Sequence, residues 1–302
     1  PATRGFFMCR WFGCCSFDDM RYEEQLRKLV SDALVEDIGD GDHSTLSCID
    51  PVARGKAVCK IKQDGVLAGV DVARFIFNQV EPGSVFTAMM ADGDDMAFGD
   101  IAFEVEAKVH TILSCERLVL NSMQRMSGIA TLTRTYTRKL EGYHTRLLDT
   151  RKTTPNFRLL EKEAVRIGGG ANHRFGLYDM IMLKDNHIDY CGSIESAIEK
   201  AYRYVQEKKP GLAIEVETRS VEDVRRVMAV GKVSRIMLDN FNPEMITEAL
   251  QIIDGAYETE ASGGINLTNI EAYAKTGVDF ISSGSIIHQA VSLDLSLKAV
   301  LL

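Results

Sequence analysis

The stretch RIMLDNFNPEMITEALQII (residues 235–253) decides the fold. Its first five residues are a short, mostly apolar run ending in Asp239, the pattern of a strand buried on both faces. Asn242 and Pro243 follow: a capping side chain, then a residue whose missing N–H goes unnoticed at the first helical position. Residues 244–253 then have helical spacing. The stretch is one βα unit, with polar residues held at the carboxyl end of its strand.

The unit recurs on both sides. The runs TRLLD (145–149), DMIML (179–183), AIEVE (213–217), AYETE (256–260) and DFISS (279–283) are each followed by helix signals. Ser220 and Asp223 have the spacing of a capping box, and Gly277 ends the helix that contains IEAYAK. Six βα units in a row require a parallel sheet, either doubly wound or closed into a barrel. The polar residues choose between these. Successive strands lead into Arg151-Lys152, Lys184 with Asp185-Asn186-His187, Glu217, Asp239-Asn240, Ser262-Gly263-Gly264 and Ser283-Gly284. In a barrel all six ends meet at one rim, where catalytic groups collect; along an open sheet they would be strung out beyond the reach of one ligand. A barrel is therefore expected.

Upstream the rhythm differs. Residues 22–35 read as an amphipathic helix. EDIGDGDHST (36–45) misses the calcium-loop spacing and reads as a solvated turn. Residues 55–110 read as a sheet with helices but without regular βαβ alternation; DIAFEVEAKVHTI alternates at Ile101, Phe103, Val105, Ala107 and Val109. Residues 114–140 read as one long helix or two.

Composition limits the function. The 302 residues carry a formal charge of −8, which argues against general nucleic-acid binding. No apolar run reaches the ~20 residues a membrane-spanning helix needs. Seven cysteines, odd in number and without a C-x-x-C pair, suggest a reduced, cytoplasmic protein. The first twenty residues hold the only Trp and three of the cysteines; they are expected to be disordered, as a leader or expression remnant, and are set aside.

Against that acidic background the rim is chemically specific. Arg151, Lys152, His173, Arg174 and Lys184 supply cations suited to carboxylates or phosphates. Glu217 and Asp239 are carboxylates suited to a hydrated Mg²⁺ or to sugar hydroxyls. The glycines of the last two strand ends let backbone amides approach a phosphate. Taken singly, each has a plainer explanation: a solvated Arg-Lys pair, strand-end helix caps, a structural histidine, a helix stop at Gly168–Gly170, or a turn-stabilising His187. Together they describe a ligand with several anionic groups, a phosphate and a ribose-like polyol.

These residues resemble the quinolinate phosphoribosyltransferase family. DTRKTTPNFRLLEKEAVRIGGGANHRFGLYDMIMLKDNH (149–187) carries the likeness; IEVET, IMLDNF, EASGGI and ISSGS follow in order. ERLVLNSMQRMSGIAT (116–131) is similar to the family's linking helix and LVEDIGDGDHST to its amino-terminal segment, so the likeness covers roughly residues 21–302. It implies an α/β fold: an amino-terminal α/β sandwich over 21–125, to which the tail 289–302 is expected to return, and an atypical α/β barrel of fewer than eight strands over 126–288. It implies transfer of phosphoribosyl from phosphoribosyl pyrophosphate to quinolinate with decarboxylation, giving nicotinate mononucleotide, pyrophosphate and CO₂ for NAD synthesis. Mg²⁺ is the implied cofactor and a homodimer the implied assembly. Carried over by position, Arg151, His173 and Arg174 hold the quinolinate carboxylates, and Arg117 joins them from the partner subunit. Lys152 and Lys184 face the carboxylates and pyrophosphate. Glu217 and Asp239 serve the ribose and Mg²⁺, with Lys152, Lys184, Glu217 and Asp239 as the catalytic set. Ser262, Gly263, Gly264, Ser283 and Gly284 cradle the 5′-phosphate. Asn156 departs from the family's Gly, but Asn tolerates left-handed backbone. The competing readings are a relative acting on another pyridine or ring acid, including a molybdenum-transport-associated one, a phosphosugar-barrel lyase using Lys184 as a Schiff base, and a non-catalytic phosphate sensor.

Overall fold

The computed structural model describes residues 19–300. The leader expected over residues 1–20 lies outside them, save for Asp19 and Met20, which open the first helix. The amino-terminal part comprises α1 (Asp19–Ile38), α2 (His43–Cys48), β1 (Arg54–Ile61), β2 (Gly65–Val66), α3 (Val70–Val80), β3 (Val85–Ala88), β4 (Asp95–Met96) and β5 (Ile101–Lys108). The helix α4 (Val109–Lys139) leads on to β6 (Arg146–Leu148), α5 (Arg158–Ile167), β7 (Ile181–Leu183), α6 (Asp185–Cys191), α7 (Ile194–Lys208) and β8 (Ile214–Thr218). Then come α8 (Val221–Val230), β9 (Arg235–Asp239), α9 (Pro243–Ile253), β10 (Glu258–Ser262), α10 (Ile270–Ala274), β11 (Phe280–Ser282), α11 (Ser285–His288) and β12 (Leu295–Val300).

Two sheets organise these elements. The first is antiparallel in the order β12-β1-β5-β3, with Cys59 registered against both Leu297 and Phe103. The chain's last strand thus closes on the amino-terminal sheet. The core there is aromatic: Phe86 stacks on Phe103 at 4.5 Å between centroids, and Phe77 of α3 meets Phe103 edge-on at 6.3 Å. The second sheet is wholly parallel, in the order β6-β11-β10-β9-β8-β7. Laid flat, its outer strands β6 and β7 would stand about 24 Å apart, five spacings of about 4.8 Å. Instead the ends of both line one cleft, so the sheet curls into a six-stranded barrel. A parallel bridge from Leu148 to Ala171 extends β6 into the seam.

Helix α4 joins the two parts as one uninterrupted helix. It buries Met123, Met126, Ile129 and Ala130, packing on β1, β5 and β12 at one side and on α5 and α11 at the other. Close approach needs small residues: a Cβ on Gly128 would lie 2.1 Å from the Val291 carbonyl oxygen, and one on Gly168 would lie 2.6 Å from that of Ala130. Gly168 is therefore a packing residue as well as the end of α5.

The local signals hold with two amendments. Asn242 Oδ1 accepts the Met245 amide at 2.8 Å with Pro243 behind it, and Ser220 Oγ accepts the Asp223 amide at 3.1 Å. Asn156 takes φ +62°, the left-handed conformation its side chain tolerates. The acidic segment 36–45 is more than a turn, because Asp42 accepts the Thr45 amide and caps α2. The alternation through 101–109 ends one residue early: Val109 begins α4, and Ile101 is exposed while Ala102 is buried.

Candidate active site

The cleft at the carboxyl ends of the barrel strands encloses about 800 Å³. Its walls include Arg151, Lys152, His173, Arg174, Lys184, Asp239, Ser262, Gly263, Gly264, Ser283 and Gly284. Two expected residues stand apart. Arg117 is exposed on α4 and does not line the cleft of its own chain. Glu217 stands behind Lys184 and opens on a neighbouring hollow of about 290 Å³.

The segment carrying Arg151 and Lys152 is fixed by buried charge beneath it. Glu161, fully buried, accepts Arg125 Nε at 2.9 Å, the Thr154 amide at 2.8 Å and Thr154 Oγ1 at 2.9 Å. Arg125 also donates to the Ala290 and Ile287 carbonyls, tying the loop to α11. Asp149 at the end of β6 accepts Lys162 Nζ at 2.5 Å, Asn172 Nδ2 at 2.7 Å and the His173 amide at 2.8 Å. Burial raises Asp149 and lowers Lys162, and their mutual attraction opposes both shifts.

Held this way, two guanidinium groups face the cleft without an anion. Arg151 Nε is buried and has no hydrogen-bond partner, and no acid pairs with Arg151 or Arg174 within salt-bridge distance among the described residues. Burial lowers Arg174, and the adjacent Arg151 charge lowers it further. Like charges kept together in a partly dry site leave a demand for an anion, which carboxylates meet.

On the opposite side Lys184 Nζ donates to Glu217 Oε2 at 3.0 Å. Asp239 is raised by burial first and by Glu217 next, with Asn240 and Lys184 counteracting. Asp239 lines the cleft, and Glu217 behind Lys184 lies close enough to raise it; two neighbouring carboxylates are the hard donors a divalent cation takes, so the residues fit Mg²⁺. His187 Nδ1 accepts the Lys184 amide at 3.0 Å, a turn-holding role.

The glycine cradle is equally definite. Gly263 has φ +96°, and a Cβ there would lie 2.3 Å from Asn240 Oδ1. A Cβ on Gly284 would fall 2.9 Å from Lys152 Cδ. Ser283 Oγ and Ser285 Oγ are 2.6 Å apart, with Tyr136 OH 2.8 Å from Ser285, so the second strand end is a preformed hydroxyl array.

His173 reaches the cleft floor, but its ring is already engaged. Nδ1 accepts the Arg174 amide at 2.6 Å, while Nε2 lies 2.9 Å from Glu215 Oε2 and 3.3 Å from Glu260 Oε2, aligned squarely with neither. Burial opposes its charge, yet the two carboxylates would carry it up to about 9. The Arg174 amide donates to Nδ1, so a neutral ring here carries its proton on Nε2. Glu215, Glu260 and Arg235 were not singled out from the sequence. The available signal was the E-x-E alternation inside AIEVE and AYETE, which turns charges to the interior of otherwise buried strands. Asn266, His288 and Gln289 also line the cleft, without a motif to announce them.

Residues 42–127 and 129–298 match the amino- and carboxyl-terminal domains of quinolinate phosphoribosyl transferase. The chain belongs to the quinolinate phosphoribosyltransferase family. A quinolinate phosphoribosyltransferase [decarboxylating] of Nicotiana glauca is 40% identical over 288 residues, 90% of this chain and 82% of that protein. A probable nicotinate-nucleotide pyrophosphorylase [carboxylating] of Bacillus subtilis is 41% identical over 281 residues, 92% and 94%. The crystal structure of NadC from Streptococcus pyogenes superposes with TM-score 0.86 at 41% identity, covering 92% of this chain and 98% of that one. The sandwich-plus-barrel of quinolinate phosphoribosyltransferases is thus the fold of this chain. Human nicotinic acid phosphoribosyltransferase, at 11% identity and TM-score 0.54, shares the fold alone.

Proposed function

We propose that this enzyme transfers phosphoribosyl from phosphoribosyl pyrophosphate to quinolinate and releases CO₂, giving nicotinate mononucleotide and pyrophosphate for NAD synthesis. The single observation that carries the reading is the Arg151–Arg174 pair, partly buried, mutually repelling and without an acidic partner. Two adjacent guanidinium groups match the two vicinal carboxylates of quinolinate better than the one of nicotinate. Lys152 beside Gly284 adds a cation where the pyrophosphate and 5′-phosphate arrive. We place the 5′-phosphate on Ser262, Gly263, Gly264, Ser283 and Gly284.

Attack by the pyridine nitrogen on the ribose C1 develops positive charge on the sugar, which Glu217 and Asp239 stabilise from one side. Lys184, anchored by Glu217, and Lys152 receive the departing pyrophosphate. Mg²⁺, held by Glu217 and Asp239, would supply further neutralisation of the pyrophosphate charge. The alkylated ring is then a pyridinium, an electron sink that favours loss of the 2-carboxylate as CO₂, and the electron pair left on C2 takes a proton from water, so decarboxylation follows transfer. Arg117, exposed on α4, completes the diacid grip of the partner in a homodimer. We place the protein in the cytoplasm because its described cysteines are free; separately, no helix among the described residues is long and apolar enough to cross a membrane. The lyase alternative is disfavoured, because Lys184 is engaged by Glu217 and a Schiff base needs a free amine.

The test is an assay with purified protein, quinolinate, phosphoribosyl pyrophosphate and Mg²⁺ that follows CO₂ and nicotinate mononucleotide together. Equal amounts of both are expected, with no turnover in EDTA and recovery on adding Mg²⁺. Preference for nicotinate over quinolinate would defeat the diacid reading.

A further inference from the structure

Two glycine turns form the phosphate cradle, and the sheet does not carry through to join them. β10 pairs with β11 at Glu260 with Phe280 and at Ala261 with Ile281, and the ladder ends there. Beyond it stand Gly263 at φ +96° and Gly264 at φ +63°. Glycine takes many conformations at little cost, so a turn with two in succession keeps one shape only if something outside fixes it. A bond between the turns does so: Ser283 Oγ donates to the Ile265 carbonyl at 3.1 Å. Behind it, Ser285 Oγ lies 2.6 Å from Ser283 Oγ, and Tyr136 OH of α4 lies 2.8 Å from Ser285 Oγ. All three hydroxyl-bearing residues are buried.

We propose that Tyr136, acting through Ser285 and Ser283, sets the spacing of the two glycine turns, making it a positioning residue for the 5′-phosphate of phosphoribosyl pyrophosphate. This rests on the function proposed above. The direction of the relay follows from counting protons. A carbonyl only accepts, so Ile265 takes the single Ser283 hydroxyl proton. Ser283 then accepts from Ser285, which spends the Ser285 proton, so Ser285 accepts from Tyr136. Remove the tyrosine proton and Ser285 is free to accept from Ser283 instead, which takes the tie away from Ile265. The turn of Gly263 and Gly264 can then drift from Gly284, and bonds to a shared phosphate weaken as their geometry opens. The Ser283 amide is itself held by the Leu148 carbonyl at 3.1 Å, so the share of Ser283 in the cradle is this tie. Helix α4 is a firm base for it, because Arg125 of the same helix donates to the Ile287 and Ala290 carbonyls just beyond Ser285.

A double-mutant cycle tests the tie. Calorimetry measures binding of ribose 5-phosphate, and steady-state kinetics measure both substrates. Tyr136→Phe removes one oxygen and keeps the ring. It should weaken ribose 5-phosphate and raise KM for phosphoribosyl pyrophosphate about fivefold, the worth of a neutral hydrogen bond, while KM for quinolinate stays within about twofold. Ser285→Ala cuts the relay at its middle and should show the same split, which keeps the test standing if either variant folds poorly. In a Ser283→Ala background Tyr136→Phe should change ribose 5-phosphate affinity less than about twofold, since the tie is already gone. Equal rises in both KM values would mean a general loosening of the barrel and would overturn the proposal. An additive loss in the Ser283→Ala background, or no loss in the single variants of an active enzyme, would overturn it too. Wild-type protein that neither binds ribose 5-phosphate nor converts quinolinate would sink the functional reading and this proposal with it.

Discussion

Replacing Glu161 by Gln removes one charge and almost no volume from the support of the Arg151–Lys152 segment. The carboxylate accepts three hydrogen bonds, from Arg125 Nε and from the Thr154 amide and hydroxyl. An amide can be turned two ways. In one, its NH₂ faces the Thr154 amide, which then loses its acceptor; in the other, it faces Arg125. A hydrogen bond to a charged group is worth about 1.5–3 kcal/mol, and a buried donor left without a partner costs about 1–3 kcal/mol. The Arg125 side chain keeps 23% exposure and two carbonyl acceptors, which places the sum near the low end, about 3 kcal/mol. At about 2 °C per kcal/mol for a chain of this length, Tm should fall about 6 °C. Freeing the Thr154 amide should also loosen Arg151, so kcat/KM for quinolinate should fall about tenfold in the Tm-shifted but folded variant. Calorimetric melting and steady-state kinetics read both effects. The exposed pair Arg27–Glu23 is the contrast: Glu23→Gln should leave Tm within about 1 °C, since water and salt screen it. A Glu161→Gln protein that melts with the wild type and turns over normally would refute the support role of this carboxylate.

Three further outcomes follow from other contacts. Gly263→Ala would force a side chain into φ +96° and against Asn240, so KM for phosphoribosyl pyrophosphate should rise at least about tenfold in the steady-state assay. Gly128→Ala would gain about 1 kcal/mol of helix propensity on an open helix, yet here the new Cβ meets the Val291 carbonyl; Tm should fall, and a rise would mean the contact relaxes freely. Among the described cysteines, Cys191 is lowered by the Ser196 hydroxyl and then by Lys200, whereas burial pushes Cys59 and Cys115 up to about 12. Because a lowered thiol supplies more thiolate at a given pH, iodoacetamide should label Cys191 at lower pH than an ordinary thiol and leave Cys59 and Cys115 untouched below pH 9, as read by peptide mass spectrometry.

The βα rhythm and its caps were legible because they are local. The capping of Met245 by Asn242 and of Asp223 by Ser220 depends on residues three positions apart, and the buried strands declare themselves by short apolar runs. The neighbour of β6 was not legible, since its pairing with β11 joins residues more than 130 positions apart. Nor was the return of β12 to β1, a pairing of Cys59 with Leu297 that only the long-range likeness suggested.

The rim shows the same division. Sequence by itself determined which chemistry stands at the strand ends, because a βα unit delivers its last residue and first turn to one face regardless of the neighbours. Arg151, Lys152, Lys184, Asp239 and the two glycine turns all reach the cleft for that reason. Only the tertiary structure decided which of those groups are free to act. His173 takes the Arg174 amide on Nδ1 and turns Nε2 towards Glu215 and Glu260, Lys184 is tethered by Glu217, and Arg151 keeps a buried, unpartnered Nε beside the cleft. Hydrogen bonds between strands far apart in sequence set that distribution, and their geometry appears only once the sheet has curled.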